Sequence, residues 1–208
     1  MDRLAVLAML CALAAITAGC ASTPPSHFYT LSATAPPATA TSSLVVVVGP
    51  VSVPDVIDRP QIVVSTGANE LQLDEFNRWA SPLQDNLSRV VAENLVSILG
   101  TPRVTLFPQA PGAAAEYRVA IEVYRFDSAP GKSTALDAVW TVRRVRDGKA
   151  ESGRISARET VLGNSYDALA AAHSRAVARL SQDIADAVRA LDRAARPAPH
   201  DIDEKEMK

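Results

Sequence analysis

Cysteine is the first thing this 208-residue sequence has little of: it has only two, Cys11 and Cys20, too few for a disulfide framework. Aromatic residues are scarce at 5%, so the core must be packed with aliphatic side chains. Charge is nearly balanced, with a formal net of −2, which provides no basic field for nucleic acid and no acidic surface field. No apolar run reaches the roughly 20 residues that a transmembrane helix needs. What remains is enough: 48% of the chain is hydrophobic, and a domain of this length can fold without disulfides or metals.

Met1 to Arg3 is a short polar start, and Leu4 to Ile16 is an apolar run of 13 residues. That length suits the h-region of an export signal and is too short to span a bilayer. Thr17-Ala18-Gly19-Cys20 follows, with small residues where a peptidase needs narrow side chains. It resembles the bacterial lipobox, with Thr17 where an aliphatic residue is usual. Cleavage at Gly19–Cys20 would leave Cys20 as the sole thiol of the mature chain, explained if a thioether to diacylglycerol consumes it. We therefore expect residues 1–19 to be a lipoprotein signal peptide and Cys20 to be the lipidation site. Ala21, where an aspartate would favour inner-membrane retention in enterobacterial sorting, points to the outer membrane, facing the periplasm.

Residues 21–26 and 33–43 are rich in Pro, Ser, Thr and Ala without periodicity, so residues 20–43 read as a flexible tether holding a short strand at His27–Leu31. The β-branched run Leu44–Val48 suits a strand buried on both faces, and Gln61–Ser65 reads as another. Ser81 as cap, Pro82 at the first helical position and Gln84 closing a capping box predict a helix that Gly100 and Pro102 end. Its apolar stripe is Leu83, Leu87, Val90, Val91, Leu95 and Ile98. Three alternating strands follow near residues 117–123, 136–143 and 151–161, the last two joined by a turn at Asp147-Gly148. A second helix, capped by Asn164 or Ser165, is expected from about Tyr166 to Ala194.

The expected fold is α+β: a single, mostly antiparallel sheet with two amphipathic helices packed on one face. The domain would span residues 44–195, and the charged, unpatterned residues 196–208 read as a disordered tail.

Chemistry has little to hold on to. Gly131-Lys132-Ser133-Thr134 imitates the end of a phosphate-binding loop. Phe126 stands where the first glycine belongs, and a strand follows where a helix is required, so a hairpin loop is the better reading. His27, His173 and His200 have no partner at metal-ligand or triad spacing, and His173 reads as a helix-edge residue. We expect no catalytic residue, no metal, no cofactor and no enzyme activity.

The least generic stretch is Val48–Pro54 through Asp58-Arg59-Pro60-Gln61, then Leu73 to Leu83 with Arg78-Trp79-Ala80-Ser81-Pro82-Leu83, and Glu93-Asn94-Leu95 within the helix. With Phe28-Tyr29-Thr30-Leu31, this pattern resembles the PqiC-type ABC-transport auxiliary lipoproteins over about residues 20–195. An aromatic often precedes the Asp-Arg-Pro of that family, and Val56-Ile57 stands here instead. The resemblance implies a non-enzymatic outer-membrane lipoprotein of an MCE/ABC-type system for intermembrane lipid transport and envelope integrity. It also implies an inner-membrane MCE-domain protein as partner, and assembly as a homo-oligomer. The alternative is a stand-alone structural or assembly lipoprotein. Beside the resemblance, Arg59 and Arg78 offer guanidinium forks with Asp58, Asp74 and Glu75 nearby, and Trp79 is either a core plug or an exposed anchor. Asp58, Arg59, Pro60, Gln61, Arg78 and Trp79 are therefore the expected partner or subunit interface.

Overall fold

The computed structural model describes residues 3, 24–108 and 115–195. The expected signal peptide, Cys20 and the 196–208 tail lie outside the described residues. Eight strands run in the order β1 (His27–Tyr29), β2 (Val46–Ser52), β3 (Gln61–Gly67), β4 (Glu70–Trp79), β5 (Val104–Leu106), β6 (Tyr117–Ala129), β7 (Ser133–Arg144) and β8 (Ala150–Thr160). Two helices join them, α1 (Leu83–Leu99) before β5 and α2 (Tyr166–Arg193) after β8.

The strands form two mixed sheets, where a single, mostly antiparallel one was expected. The larger has the order β5-β2-β6-β7-β8, and the smaller β1-β4-β3. The β2 strand is parallel to both its neighbours, β5 and β6. Its Val46, Val47 and Val48 are all buried, as a strand covered on both faces requires. From β6 to β8 the sheet is an antiparallel meander. The turn at Asp147-Gly148 forms as the sequence predicts, with Gly148 at φ 72°, where a side chain would be strained.

Both helices pack on one face of the larger sheet, as expected. Along β6, Tyr117, Val119, Ile121 and Val123 are buried, and along β7 Leu136, Ala138, Trp140 and Val142 join them. From above, α2 contributes Leu169, Ala176, Val177, Leu180, Ile184, Val188 and Leu191. Its alanines let it lie close to the strands. Ser165 caps it, accepting from the N–H of Ala168.

The start of α1 differs from expectation. Its N-cap is Pro82, not Ser81, and no side chain caps it. The first turn is instead tied to the preceding chain: the Asn86 amide oxygen accepts from the N–H of Leu31 at 3.2 Å, and Arg89 Nη2 donates to the Leu31 carbonyl at 2.7 Å. The Gly100 C-cap is left-handed, as predicted.

Residues 31–43, part of the expected flexible tether, lie against the helices as a fixed strap. Leu31 is buried, the N–H groups of Thr34 and Ala35 donate to Asn94 Oδ1 at 3.1 and 3.0 Å, and that of Ser32 donates to Ser174 Oγ at 3.1 Å. Further along, the N–H of Ala38 reaches the Ser97 carbonyl and that of Ser42 the Gly100 carbonyl, both at 2.8 Å. Polar backbone that cannot join a sheet is satisfied here by asparagine side chains and the free carbonyls at the end of α1.

Candidate functional site

The two halves of the sequence motif, residues 58–61 and 78–82, meet in space. A tight loop places the first half: the N–H groups of Ile57 and Asp58 both donate to the Pro54 carbonyl, at 3.0 and 3.1 Å. The β3–β4 pairing then sets Gln61 opposite Arg78, and the Trp79 N–H donates to the Pro60 carbonyl at 2.8 Å. Asp58, Arg59 and Pro60 face Trp79, Ala80, Ser81 and Pro82 across an open groove of about 420 Å³. Ser81 is shared with a second groove of about 600 Å³, which runs past Gln84 and Arg89 of α1 to Phe107 and Pro108. Together they form one concave surface around the start of α1, with half-exposed Phe107 at its far end.

The residues do not share one role. Trp79 is 4% exposed, and its ring lies edge-on to Phe126 and His173, 6.2 Å from each. It is the core plug, not an exposed anchor, and gives the groove only a wall. Arg59 makes no ion pair among the described residues. Arg78 donates from Nε to the Glu75 carbonyl at 3.0 Å, and its guanidinium stands 3.8 Å from the Glu75 carboxylate, so the bidentate fork does not form. Glu75 also accepts from Gln61 Nε2 at 3.4 Å. Arg78, Gln61 and Phe28 thus form a row on the outer face of the smaller sheet.

Asp74 has a different partner altogether. It accepts from Tyr166 Oη at 2.5 Å and from the N–H groups of Phe76 and Asn77 at 3.0 and 2.8 Å, fastening β4 to the start of α2. Partial burial raises its pKa, but the hydrogen bonds from Tyr166, Asn77 and Phe76 outweigh it and hold the carboxyl below its ordinary value.

Sequence reasoning misplaced His173, which is fully buried rather than at a helix edge. Its ring stacks on Phe126 at 3.8 Å, and Nε2 lies 2.8 Å from Ser128 Oγ. A serine hydroxyl on a histidine ring nitrogen has the outline of a nucleophile–base pair. Here both side chains are closed off in the core, Nδ1 has no hydrogen-bond partner to orient the ring, and neither residue lines a cavity described above. Burial lowers the His173 pKa to about 3, so the ring is neutral. The pair is packed into the core against Phe126. Among the described residues no group of three His, Cys, Asp or Glu side chains could hold a metal.

The groove is thus built from loop prolines, the start of α1 and an arginine without an ion pair among the described residues. The fold is shared with solved structures. Protein XCC0632 from Xanthomonas campestris, of the DUF330 family, superposes with a TM-score of 0.65 at 20% identity, over 82% of this chain and 100% of that one. A further uncharacterized protein gives a TM-score of 0.65 at 20% identity, over 79% of this chain and 99% of that one. No curated protein matches. The model of the ABC-type transport auxiliary lipoprotein component family matches residues 29–185, and the chain belongs to that family. The PqiC-type resemblance read from the motifs agrees with this membership.

Proposed function

We propose that the protein is a non-enzymatic outer-membrane lipoprotein of an MCE/ABC-type intermembrane lipid transport system, tethered through Cys20 and docked to an inner-membrane MCE-domain protein. Family membership over residues 29–185 supports the transport role. The observation that carries the docking role is the meeting of Asp58-Arg59-Pro60 with Ala80-Ser81-Pro82 at one groove. Those segments are about 20 residues apart in sequence and carry the family pattern. Arg59 offers a guanidinium free for a partner carboxylate, and the adjoining Phe107 offers an aromatic contact. Trp79, as a buried wall, supports the groove from beneath.

A photo-crosslinking residue placed at Arg59 or Ser81 of the lipidated protein in cells should capture an MCE-domain protein. Repeated failure at both positions, with normal protein levels, would favour a stand-alone envelope lipoprotein. A Cys20→Ala variant should move from the membrane fraction to the soluble periplasm.

A further inference from the structure

We infer that one pole of the domain rests on the phospholipid bilayer through Leu162 and Phe28, so that the opposite pole, at the β7–β8 hairpin, points away from the membrane. This rests on the lipidation of Cys20 proposed above.

The chain reaches the fold at β1, whose His27, Phe28 and Tyr29 pair in parallel with Asn77, Arg78 and Trp79 of β4. The same pole holds the start of α2, since the Tyr29 and Tyr166 rings are 5.8 Å apart and Tyr166 bonds Asp74. It also holds the β6–β7 hairpin, because the Val161 N–H donates to the Lys132 carbonyl at 3.1 Å and Gly131 abuts Asn164. Cys20 and His27 are seven Cα steps apart, with six residues between them, which limits the reach from anchor to fold to about 25 Å. An acylated Cys20 therefore keeps this pole beside the lipid head groups.

The surface there suits such a neighbour. Leu162, at 77%, and Phe28, at 64%, are the two most exposed large apolar side chains among the described residues, and both belong to this pole. Leu71 and Leu73 of β4 add further exposed apolar area on the β3–β4 arm, toward which the chain preceding β1 runs. Lys132 stands at the hairpin tip, where an ammonium can meet lipid phosphate. Side chains of this kind are costly in water and favoured at the bilayer interface. The opposite pole is different: α2 carries the fold about 42 Å along its axis, to a hairpin of Arg144, Arg146, Asp147 and Lys149.

The mature chain offers a clean test, because an acylated Cys20 leaves no other thiol. Leu162→Cys, Phe28→Cys and Lys149→Cys, each with a nitroxide spin label, are compared in lipidated protein reconstituted into phosphatidylethanolamine–phosphatidylglycerol vesicles. Labels at 162 and 28 should collide with oxygen in preference to a water-soluble nickel chelate, several-fold more than the label at 149. Equal water accessibility at all three, in protein whose mass shows Cys20 acylated, would overturn the orientation while leaving the anchor intact. Labels at 162 and 28 immobilised but shielded from both reagents would assign the pole to a protein contact, and also overturn it. An unmodified Cys20 in protein free of vesicles would instead defeat the anchoring reading on which the orientation rests.

Discussion

The two sheets of this domain are packed differently: the larger is built into the core, and the smaller leaves most of one strand in water. In the five-stranded sheet, every second residue of β6 and β7 is buried beneath α2, and the two helices close over it. In the three-stranded sheet most of β4 is exposed, and only Ile62, Val63, Val64 and Trp79 reach the core. Yet the smaller sheet and the loops at its ends carry the Asp58–Gln61 and Arg78–Pro82 parts of the family motif. A surface freed from core packing can hold residues chosen for a partner, and Trp79 is the rivet joining that surface to the core.

The largest effect is expected from pulling the rivet. Trp79→Ala removes a buried indole between Phe126 and His173 and should cost about 3–5 kcal/mol, read from urea unfolding. An equal loss from Leu71→Ala, on the exposed arm, would erase the division between the sheets; the expectation there is a change within about 0.5 kcal/mol.

Overfilling the larger sheet tests it from the other side. Gly153 lies beneath the Trp140 ring, so the methyl of Gly153→Ala would collide with the indole. We expect a loss of about 1–3 kcal/mol, visible as a lowered Tm.

Acid acts on the core side through His173. Its pKa lies at about 3 in the folded chain and near 6.5 when unfolded, so the unfolded chain binds more protons in between. The stabilisation is complete above pH 6.5 and lost as pH falls from 6.5 toward 3, by up to about 1.4 kcal/mol per pH unit. Unfolding of the wild type and His173→Gln at pH 7 and pH 5 should give a smaller pH difference for the variant. The smallest stability effect is expected at Arg59→Ala, within about 0.5 kcal/mol, although capture of the partner should weaken.

The larger sheet was legible in the sequence because its signals are local. Alternation in β6 and β7, the Asp147-Gly148 turn and the Ser165 cap each act over a few residues. The division into two sheets was not legible, since the parallel pairings of β2 with β5 and β6, and of β1 with β4, join segments far apart in the chain. The β4 strand escaped notice for a physical reason. Glu70, Asp74, Glu75, Asn77 and Arg78 give it no apolar period, as befits a strand wet over most of its length. The strap at 31–43 resembled a linker by composition, and its only sequence trace is the presence of Asn86 and Asn94 amid the apolar stripe of α1. Of the candidate site, the motif residues were found; that Trp79 faces the core, and that His173 lies beside it, depends on tertiary packing that the alanine-rich stripe of α2 conceals.

The parallel pairing of β1 with β4 has a mechanical consequence. Tension applied at the N-terminus acts along β1, so its ladder bonds to β4 are loaded side by side rather than peeled one at a time. Load that passes β1 would next meet the strap, whose amides grip Asn94, Ser97, Ser174 and Gly100 on two helices. A pull on the chain before β1 is thereby spread across the domain instead of fraying its first strand.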